Sequence, residues 1–295
     1  MGNYLGQHFL GNKAKLREIV DALELKDGDV VVEIGPGHGE LTEELADKFK
    51  SLKVKNFRII AIEKDIVLAD KLKSLKAEKF KNNVEIIYND ALKIIPKLIQ
   101  DYKLQTTNYK LVGNIPYYIT GYLFRILGEL EYKPASIVLL IQKEVAKRVC
   151  AGRREMSPVR SRDHKSRSAS SGMNLLAASV QFWAEPKIVG YVPRKDFKPA
   201  PKVESAIIKL TPVTSQLLSR LKCNKEDYYK FIKILFKQPR KTIVNNISKF
   251  KSLKVQKISK EEIIGKLNEV GVEPKARPQD LSIEQIIKLS VVDFN

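Results

Sequence analysis

The segment "VVEIGPGHGELT", residues 31–42, runs from a β-branched apolar stretch through three glycines into a sequence of helical character. Gly35, Gly37 and Gly39 carry no Cβ, so the backbone can turn tightly and approach a ligand closely at this point. Their spacing is G-x-G-x-G, whereas the dinucleotide-binding fingerprint is G-x-G-x-x-G. A glycine triplet alone is weakly specific, but this spacing, with Glu33 before it, is typical of a site for an adenosine ligand without a pyrophosphate.

Strand-like and helix-like segments alternate over the first 150 residues. The strand-like runs are residues 29–35, 57–65, 83–90, 109–116 and 135–142. This alternation predicts an α/β fold, a Rossmann-like parallel sheet with helices on both faces. Such sheets bind ligands at the carboxyl ends of their strands. Two later runs, on either side of the proline-rich turn "FKPAPK", fit antiparallel strands at the end of the same sheet.

The chain after residue 211 has apolar residues at helical spacing only. We therefore predict a sheet-containing domain over residues 1–211 and a small all-helical domain over residues 212–295. Between two predicted helices of the first domain, residues 152–172 hold six basic and two acidic residues and almost no core-forming ones. That composition predicts a disordered Arg/Ser-rich insertion.

The composition indicates a globular protein that is attracted to polyanions. The 295 residues are 43% hydrophobic, and 53 Lys+Arg against 34 Asp+Glu give a formal charge of +19. This excess favours nucleic acid or an acidic membrane surface as partner, although a lysine-rich solvated surface is the alternative. No apolar window is long enough for a membrane span, and the N-terminal segment lacks a signal-peptide core, so we expect a cytoplasmic protein. The two cysteines lack metal-ligand spacing, so no metal is expected.

Two carboxylates end consecutive strand-like runs. Glu63 ends the second run, where a carboxylate with two acceptor oxygens can take both hydroxyls of a ribose. Asp90 ends the third run and can accept a hydrogen bond from an adenine amino group. Either residue alone is commonly a cap or a solvated group, but together with the glycine segment they favour an adenosine site.

The segments "GQHFL", "VVEIGPGHGELT", "AIEKD", "NDAL" and "GNIPYYIT", in this order, resemble the ribosomal RNA adenine N6-dimethyltransferases of the KsgA family. The resemblance continues in "DFKPAPKVESAI", "FKQPRKTIVNNI" and "RPQDLSIEQ", so it covers nearly the whole chain apart from the Arg/Ser-rich insertion. It implies a class I methyltransferase fold and S-adenosylmethionine as the cofactor. It also implies that the first domain binds the cofactor and catalyses, and that the helical domain binds RNA.

The resemblance implies a cofactor site without a metal. Its residues would be Gln7, His8, Leu10, Gly35, Gly37, Glu63, Asp90, Ala91 and Asn114. Gln7, His8 and Leu10 would lie near the methionine end of the cofactor. His8 stands where asparagine is common in the family, and it still offers a hydrogen-bond donor.

The segment "NIPY", residues 114–117, suits catalysis on an exocyclic adenine amine, whose lone pair is delocalised into the ring. The Asn114 side-chain oxygen and the Ile115 backbone carbonyl can accept both amine hydrogens and favour a tetrahedral nitrogen. Pro116 fixes φ and has no N–H, so it holds that carbonyl outward. Tyr117 offers a face on which a flipped adenine can stack. Catalysis would then depend on positioning and hydrogen bonding rather than on a strong base.

Phe197, in "DFKPAPK", resembles the family's aromatic residue that stacks on the other face of the target base. A phenylalanine buried in a loop is the alternative. Ala200 interrupts a proline run that is usual in the family. Arg240 and Lys241 would contact the RNA backbone, although a solvated basic face explains them equally well.

The resemblance implies dimethylation of two adjacent adenosines in the 3′-terminal hairpin of small-subunit rRNA. The partner would be a partly assembled ribosomal subunit, and the protein would act as a monomer. One alternative is an Erm-type enzyme that methylates large-subunit rRNA. Another is an RNA-binding assembly factor whose catalysis is secondary. An NAD-dependent oxidoreductase is disfavoured by the glycine spacing.

Overall fold

The fold is mixed α/β. The computed structural model describes residues 7–54, 56–79, 83–104, 108–152, 172–213, 223–248 and 259–292. Apart from its end residues, Gly152 and Gly172, the predicted insertion therefore lies outside the described residues.

The strands are β1 (Phe9–Leu10), β2 (Val30–Ile34), β3 (Arg58–Glu63), β4 (Val84–Tyr88), β5 (Tyr109–Asn114), β6 (Ser136–Gln142), β7 (Ala184–Val192), β8 (Phe197–Lys198) and β9 (Ser205–Pro212). The helices are α1 (Lys13–Ala22), α2 (Glu40–Ser51), α3 (Ile66–Lys79), α4 (Ala91–Asp101), α5 (Thr120–Glu129), α6 (Lys143–Val149), α7 (Leu175–Gln181), α8 (Lys225–Leu235), α9 (Ile243–Ile247), α10 (Lys260–Glu269) and α11 (Ile283–Ser290). Short 3₁₀ turns cover Tyr117–Ile119, Arg194–Asp196 and Pro278–Asp280.

Seven strands form one sheet in the order β4-β3-β2-β5-β6-β9-β7. The four pairings from β4 to β6 are parallel, and β9 pairs antiparallel with β6. Six of the seven residues of β6 are buried, as expected for a central strand covered by helices on both faces. These findings confirm the predicted fold class, including the antiparallel addition at the end of the sheet.

The chain reverses its direction across the sheet between β2 and β5. From β2 it adds β3 and then β4 on one side, and it then returns to place β5 and β6 on the other side of β2. Ile34 lies opposite Gly113, so the glycine segment and Asn114 emerge side by side at the carboxyl edge. A Cβ on Gly113 would lie 2.7 Å from the Ile34 carbonyl oxygen, so only glycine permits this close approach. In sheets of this kind ligands bind at such a reversal point.

The chain divides into two compact units, residues 1–146 with 185–212 and residues 147–184 with 213–295. The first unit contains the sheet and ends one residue after the predicted boundary at 211. The segment 147–184, which we expected within the first domain, groups with the C-terminal helices instead. In this second unit the Tyr228 ring stacks on Phe182 with centroids 4.0 Å apart, and its hydroxyl donates to the Ala178 carbonyl. Long-range packing of α8 on α7 therefore decides where this segment belongs.

None of the helices within the described residues is long and apolar enough to cross a membrane.

Candidate active site

A cleft opens at the carboxyl edge of the sheet, at the ends of the neighbouring strands β2 and β5. It encloses about 1030 Å³, including the space that is open to solvent. Twelve of the thirteen predicted site residues line it, namely Gln7, His8, Leu10, Gly35, Gly37, Glu63, Asp90, Ala91, Asn114, Ile115, Pro116 and Tyr117. Phe197 does not. The structure therefore brings residues from five separate segments of the chain together around one space.

The glycine segment needs glycine for two reasons. Gly35, Gly37 and Gly39 have φ values of 67°, 60° and 97°, a left-handed conformation that other residues rarely adopt. In addition, a Cβ on Gly37 would lie 2.7 Å from Cε1 of Phe9. The Phe9 ring in turn packs against His38, with centroids 4.2 Å apart. The tight turn and the close approach of β1 together form one wall of the cleft.

Glu63 is held in place by three backbone N–H groups. Its Oε2 accepts from Gly37, and its Oε1 accepts from Lys64 and Asp65, at distances of 3.1, 2.8 and 2.9 Å. The residue is 3% exposed, and burial raises the pKa of its carboxyl despite the opposing effect of these hydrogen bonds. Since two carboxylate oxygens offer about four acceptor positions, one position is left for a ligand hydroxyl after these three bonds.

Asp90 caps α4 and also forms an ion pair across the cleft edge. Its Oδ1 accepts from the Leu92 N–H at 3.0 Å, and its Oδ2 lies 2.9 Å from Nζ of Lys64. Lys64 was not predicted as a site residue, although it directly follows Glu63 in the sequence. The ion pair joins the ends of β3 and β4 at this side of the cleft.

Asn114 ends β5 and binds the N-terminal segment. Its Nδ2 donates to the His8 carbonyl oxygen at 2.8 Å. Because a carbonyl can only accept, this contact identifies which end of the amide is the nitrogen. Among the described residues no hydrogen bond reaches Oδ1 of Asn114 or the carbonyl oxygen of Ile115. Two consecutive residues that line the cleft therefore each have an acceptor oxygen without a hydrogen bond from the described residues.

Tyr117 is anchored through its hydroxyl. The hydroxyl lies 2.6 Å from Oγ of Ser205, which is fully buried at the start of β9. The Tyr117 ring also stacks on the His8 ring, with centroids 6.0 Å apart and planes inclined by 28°. Burial raises the pKa of Tyr117, so its hydroxyl stays protonated at neutral pH. The ring orientation at the end of "NIPY" therefore depends on a residue of a distant strand.

Phe197 is buried rather than facing the cleft. Its side chain is 3% exposed and belongs to the same apolar cluster as Leu10 and Val192. It lies in β8, where it is opposite Leu10 of β1. In this arrangement the ring offers no free face to a base, and stacking would require it to move. The structure thus matches the buried alternative, and the stacking role stays a prediction.

Glu33 lies behind the glycine segment and is fully buried. Its Oε2 accepts from the Thr42 hydroxyl at 2.7 Å, while its Oε1 has no hydrogen-bond partner. Burial raises the pKa of Glu33 to about 8, and the nearby Glu63 carboxylate adds to the effect. The Glu33 carboxyl is therefore largely protonated at neutral pH.

The chemistry of the cleft fits S-adenosylmethionine better than a dinucleotide. Carboxylates of Glu40, Glu63 and Asp90 line it, and the lining lysine, Lys64, is already paired with Asp90. Excess negative charge repels a pyrophosphate but favours a ligand that carries a sulfonium and an ammonium group. The acceptors also match ribose hydroxyls and amino groups. Among the described residues, no group of three or more His, Cys, Asp and Glu could hold a metal ion.

Two solved structures with the same fold are named for the methylation of adenosine or of ribosomal RNA. A dimethyladenosine transferase from Plasmodium falciparum superposes with a TM-score of 0.72, at 24% identity and 96% coverage of each chain. The 23S rRNA methyltransferase ErmE superposes with a TM-score of 0.64, at 23% identity, over 96% of this chain and 98% of ErmE. At these identities the likeness establishes the fold, a class I methyltransferase fold.

Comparison with known sequences identifies the family as well as the fold. The profile of the family described as "Ribosomal RNA adenine dimethylase" matches residues 3–288. A protein of Dehalococcoides mccartyi named "Ribosomal RNA small subunit methyltransferase A" is 36% identical over 287 residues, which are 97% of this chain and 86% of that protein. One of the same name from Mycoplasma mycoides is 32% identical over 97% of this chain and 95% of that protein. This chain therefore belongs to the ribosomal RNA adenine dimethylase family and is a methyltransferase.

Proposed function

We propose that this protein dimethylates N6 of two adjacent adenosines in the 3′-terminal hairpin of small-subunit rRNA, with S-adenosylmethionine as the cofactor. The observation that carries the proposal is the pair of acceptors at the end of β5. Asn114 and Ile115, whose side-chain and backbone oxygens, respectively, accept no hydrogen bond among the described residues, line the cleft at the carboxyl edge of a methyltransferase sheet. The full-length relatives named for the small subunit support the choice of rRNA.

The cofactor would be held by the residues around the glycine segment. Glu63 would accept from the ribose, Asp90 and Ala91 would contact the adenine, and Gln7, His8 and Leu10 would contact the methionine end. Gly35 and Gly37 would let the backbone lie against it. When bound, S-adenosylmethionine supplies an electrophilic methyl group on its sulfonium sulfur.

The residues of "NIPY" would prepare the target amine. Asn114 and the Ile115 carbonyl would each accept one amine hydrogen, so the nitrogen becomes tetrahedral and its lone pair leaves conjugation with the ring. Pro116 has no N–H to compete for these acceptors, and its φ of −56° keeps the turn rigid. Tyr117, anchored by Ser205, would present its face to the flipped base. After methyl transfer the nitrogen is acidic, so its proton can leave to water.

We further propose that the substrate is a partly assembled small subunit, that the protein meets it in the cytoplasm as a monomer, and that the second compact unit binds RNA. The described basic residues Lys237, Arg240 and Lys241 of that unit are all exposed, which is consistent with contacts to phosphates. Phe197 would complete the base site only after moving out of its apolar cluster.

Replacing Asn114 with alanine tests the proposal. We expect methyl transfer to small subunits that lack the modification to fall about 100-fold or more, because one of two acceptors for the amine is removed. Asn56→Ala is the matched control, since Asn56 is exposed just before β3, at the opposite edge of the sheet. If Asn114→Ala restored ribosome assembly in cells while transferring no methyl group, the assembly-factor alternative would hold. If expression raised resistance to macrolides, the Erm-type alternative would hold.

A further inference from the structure

Two exposed tyrosines lie beside the cleft, Tyr118 in the 3₁₀ turn before α5 and Tyr122 in the first turn of α5. Tyr118 lines the cleft, yet it is 65% exposed, so it lies at the mouth. Tyr122, four residues later, is 51% exposed. Helical side chains lean toward the N-terminus of their helix, so Tyr122 leans toward the preceding 3₁₀ turn, which holds Tyr118. Two large aromatic faces therefore continue from the cleft along the protein surface.

A cation extends this surface. Cζ of Arg125 lies 5.5 Å from the centre of the Tyr122 ring, one turn further along α5. Nε of Arg125 also pairs with Glu129 at 3.3 Å, but a guanidinium has five N–H donors, so others stay available for a phosphate. Lys64, which is paired with Asp90, lines the same cleft as Tyr118. Each tyrosine thus has a cation in its neighbourhood, Arg125 at the Tyr122 ring and Lys64 in the part of the cleft that Tyr118 also lines.

Gly121 is the residue of this surface that indicates a binding partner. It is exposed in the first turn of α5, where glycine is about 1 kcal/mol less favourable than alanine. Its φ is not in the left-handed region, and a Cβ built on it meets no atom within 4 Å. Nothing in the described chain therefore requires glycine here. A missing side chain between two exposed tyrosines leaves room for something flat to lie against the helix.

We propose that Tyr118, Gly121, Tyr122 and Arg125, here called the tyrosine platform, stack the adenosine that neighbours the target adenosine in the RNA strand. A base inside the cleft is joined to the next nucleotide by one phosphate, so that nucleotide must lie at the mouth, where Tyr118 is. Aromatic faces with a nearby arginine are the usual surface for unstacked bases of single-stranded RNA. The platform rests on the proposed function and extends it, because it holds the second adenosine while the first is in the cleft.

The test measures RNA binding apart from methyl transfer. One probe is a hairpin whose loop has two adjacent adenosines, and the other is the same hairpin with one of the two made abasic. Tyr122→Ala should weaken binding of the two-adenosine hairpin about 5-fold to 100-fold, because one stacking face is lost. Tyr122→Phe, which keeps the face, should change it less than about twofold. On the abasic hairpin Tyr122→Ala should also change binding less than about twofold, because the stacked base is missing.

Gly121→Gln separates a binding role from damage to the fold. Glutamine is a better helix former than glycine, and its Cβ would meet no atom within 4 Å, so the variant should unfold at a higher temperature than wild type. The same side chain should fill the space on the platform and weaken binding of the two-adenosine hairpin about tenfold. Cofactor binding should be unchanged in both variants, since neither Gly121 nor Tyr122 lines the cleft.

Two results would contradict the proposed role of the tyrosine platform. The first is a Tyr122→Ala or Gly121→Gln variant that binds the two-adenosine hairpin as tightly as wild type does. The second is an equal loss of affinity in Tyr122→Ala for both hairpins. A loss seen only with ribosomal subunits and not with the hairpin would assign the surface to a protein partner instead. A wild-type protein that binds the hairpin but transfers no methyl group to unmodified small subunits would refute the proposed function, while the affinities of the variants would still decide the platform.

Discussion

Gly37→Ala should destabilise the protein by two separable effects. The first is the φ of 60° at this position, which costs a residue with a Cβ about 1–2 kcal/mol. The second is the Phe9 ring, whose Cε1 and Cδ1 would lie 2.7 and 2.8 Å from the new Cβ. A ring that packs on His38 cannot yield as a flexible chain end does, and such overpacking costs about 1–3 kcal/mol. We therefore expect the free energy of unfolding to fall by about 2–5 kcal/mol in total.

Gly28→Ala is the matched control. Gly28 has a φ of 79°, and a Cβ there meets no atom within 4 Å, so alanine should cost only the backbone effect, about 1–2 kcal/mol. The difference between the free energies of unfolding of the two variants, measured by urea unfolding, gives the cost of the contact between the new Cβ and Phe9. Adding Phe9→Ala to Gly37→Ala should remove that difference, since residues in contact couple. Equal destabilisation by Gly37→Ala and Gly28→Ala, with no coupling to Phe9, would show that the Phe9 ring does not resist a side chain at position 37.

Three further outcomes follow from the buried polar groups. Glu63→Gln should weaken S-adenosylmethionine binding about 10-fold to 100-fold in calorimetry, because an amide has one acceptor oxygen and a carboxylate has two; an unchanged affinity would contradict this. The pKa of Glu33 is about 8 in the folded protein against an ordinary 4.5. The contribution of Glu33 to the free energy of unfolding is therefore fully present below pH 4.5 and is lost as the pH rises from 4.5 to 8. In Glu33→Gln the free energy of unfolding should fall less between pH 4.5 and 8 than it does in wild type. A fall as steep as that of wild type would show that Glu33 does not cause it. Ser205→Ala and Tyr117→Phe each remove the same hydrogen bond, so each should lower kcat about 5-fold to 10-fold and the double variant no further, while additive losses would exclude a shared role.

The cleft was predictable because its residues follow local patterns. Gly35, Glu63, Asp90 and Asn114 each lie at or near the end of a strand-like run, and the carboxyl ends of parallel strands share one edge. Placing four strands in a parallel sheet therefore also places these side chains near each other. The antiparallel position of β9 could be expected from its apolar run and the proline-rich turn before it.

The features that could not be predicted depend on contacts between distant segments. Phe197 is buried because β8 pairs with β1, and Asn12 fixes that pairing through a 2.9 Å hydrogen bond to Asp196. No local pattern shows which of two exposed-looking loops will pair. Likewise Ser205 contacts Tyr117 across 88 residues of sequence. Lys64 was predictable in principle, since it directly follows Glu63, which was singled out, but only the ion pair with Asp90 shows its place in the cleft.

The grouping of residues 147–184 depends on similar long-range contacts. Helical spacing predicted α7, but helices of equal pattern can pack on a sheet or on other helices. The Tyr228 hydroxyl reaches the Ala178 carbonyl at 2.9 Å, and Gln181 donates to the carbonyls of Val149 and Ala151. The Tyr228 contact joins the segment to the helices that follow residue 213, and the Gln181 contacts hold α7 against residues 149 and 151 of the same segment, although the segment follows the sheet directly in sequence.

Methylation of small-subunit rRNA can be measured with purified protein and labelled S-adenosylmethionine. Both are incubated with small subunits from a strain that lacks the modification, with large-subunit RNA in parallel, and the labelled nucleosides are mapped. We expect N6,N6-dimethyladenosine at two adjacent positions of small-subunit rRNA and no label on large-subunit RNA. Label on a single adenosine of large-subunit RNA, or no transfer to either by a protein that binds the cofactor, would contradict the proposed function.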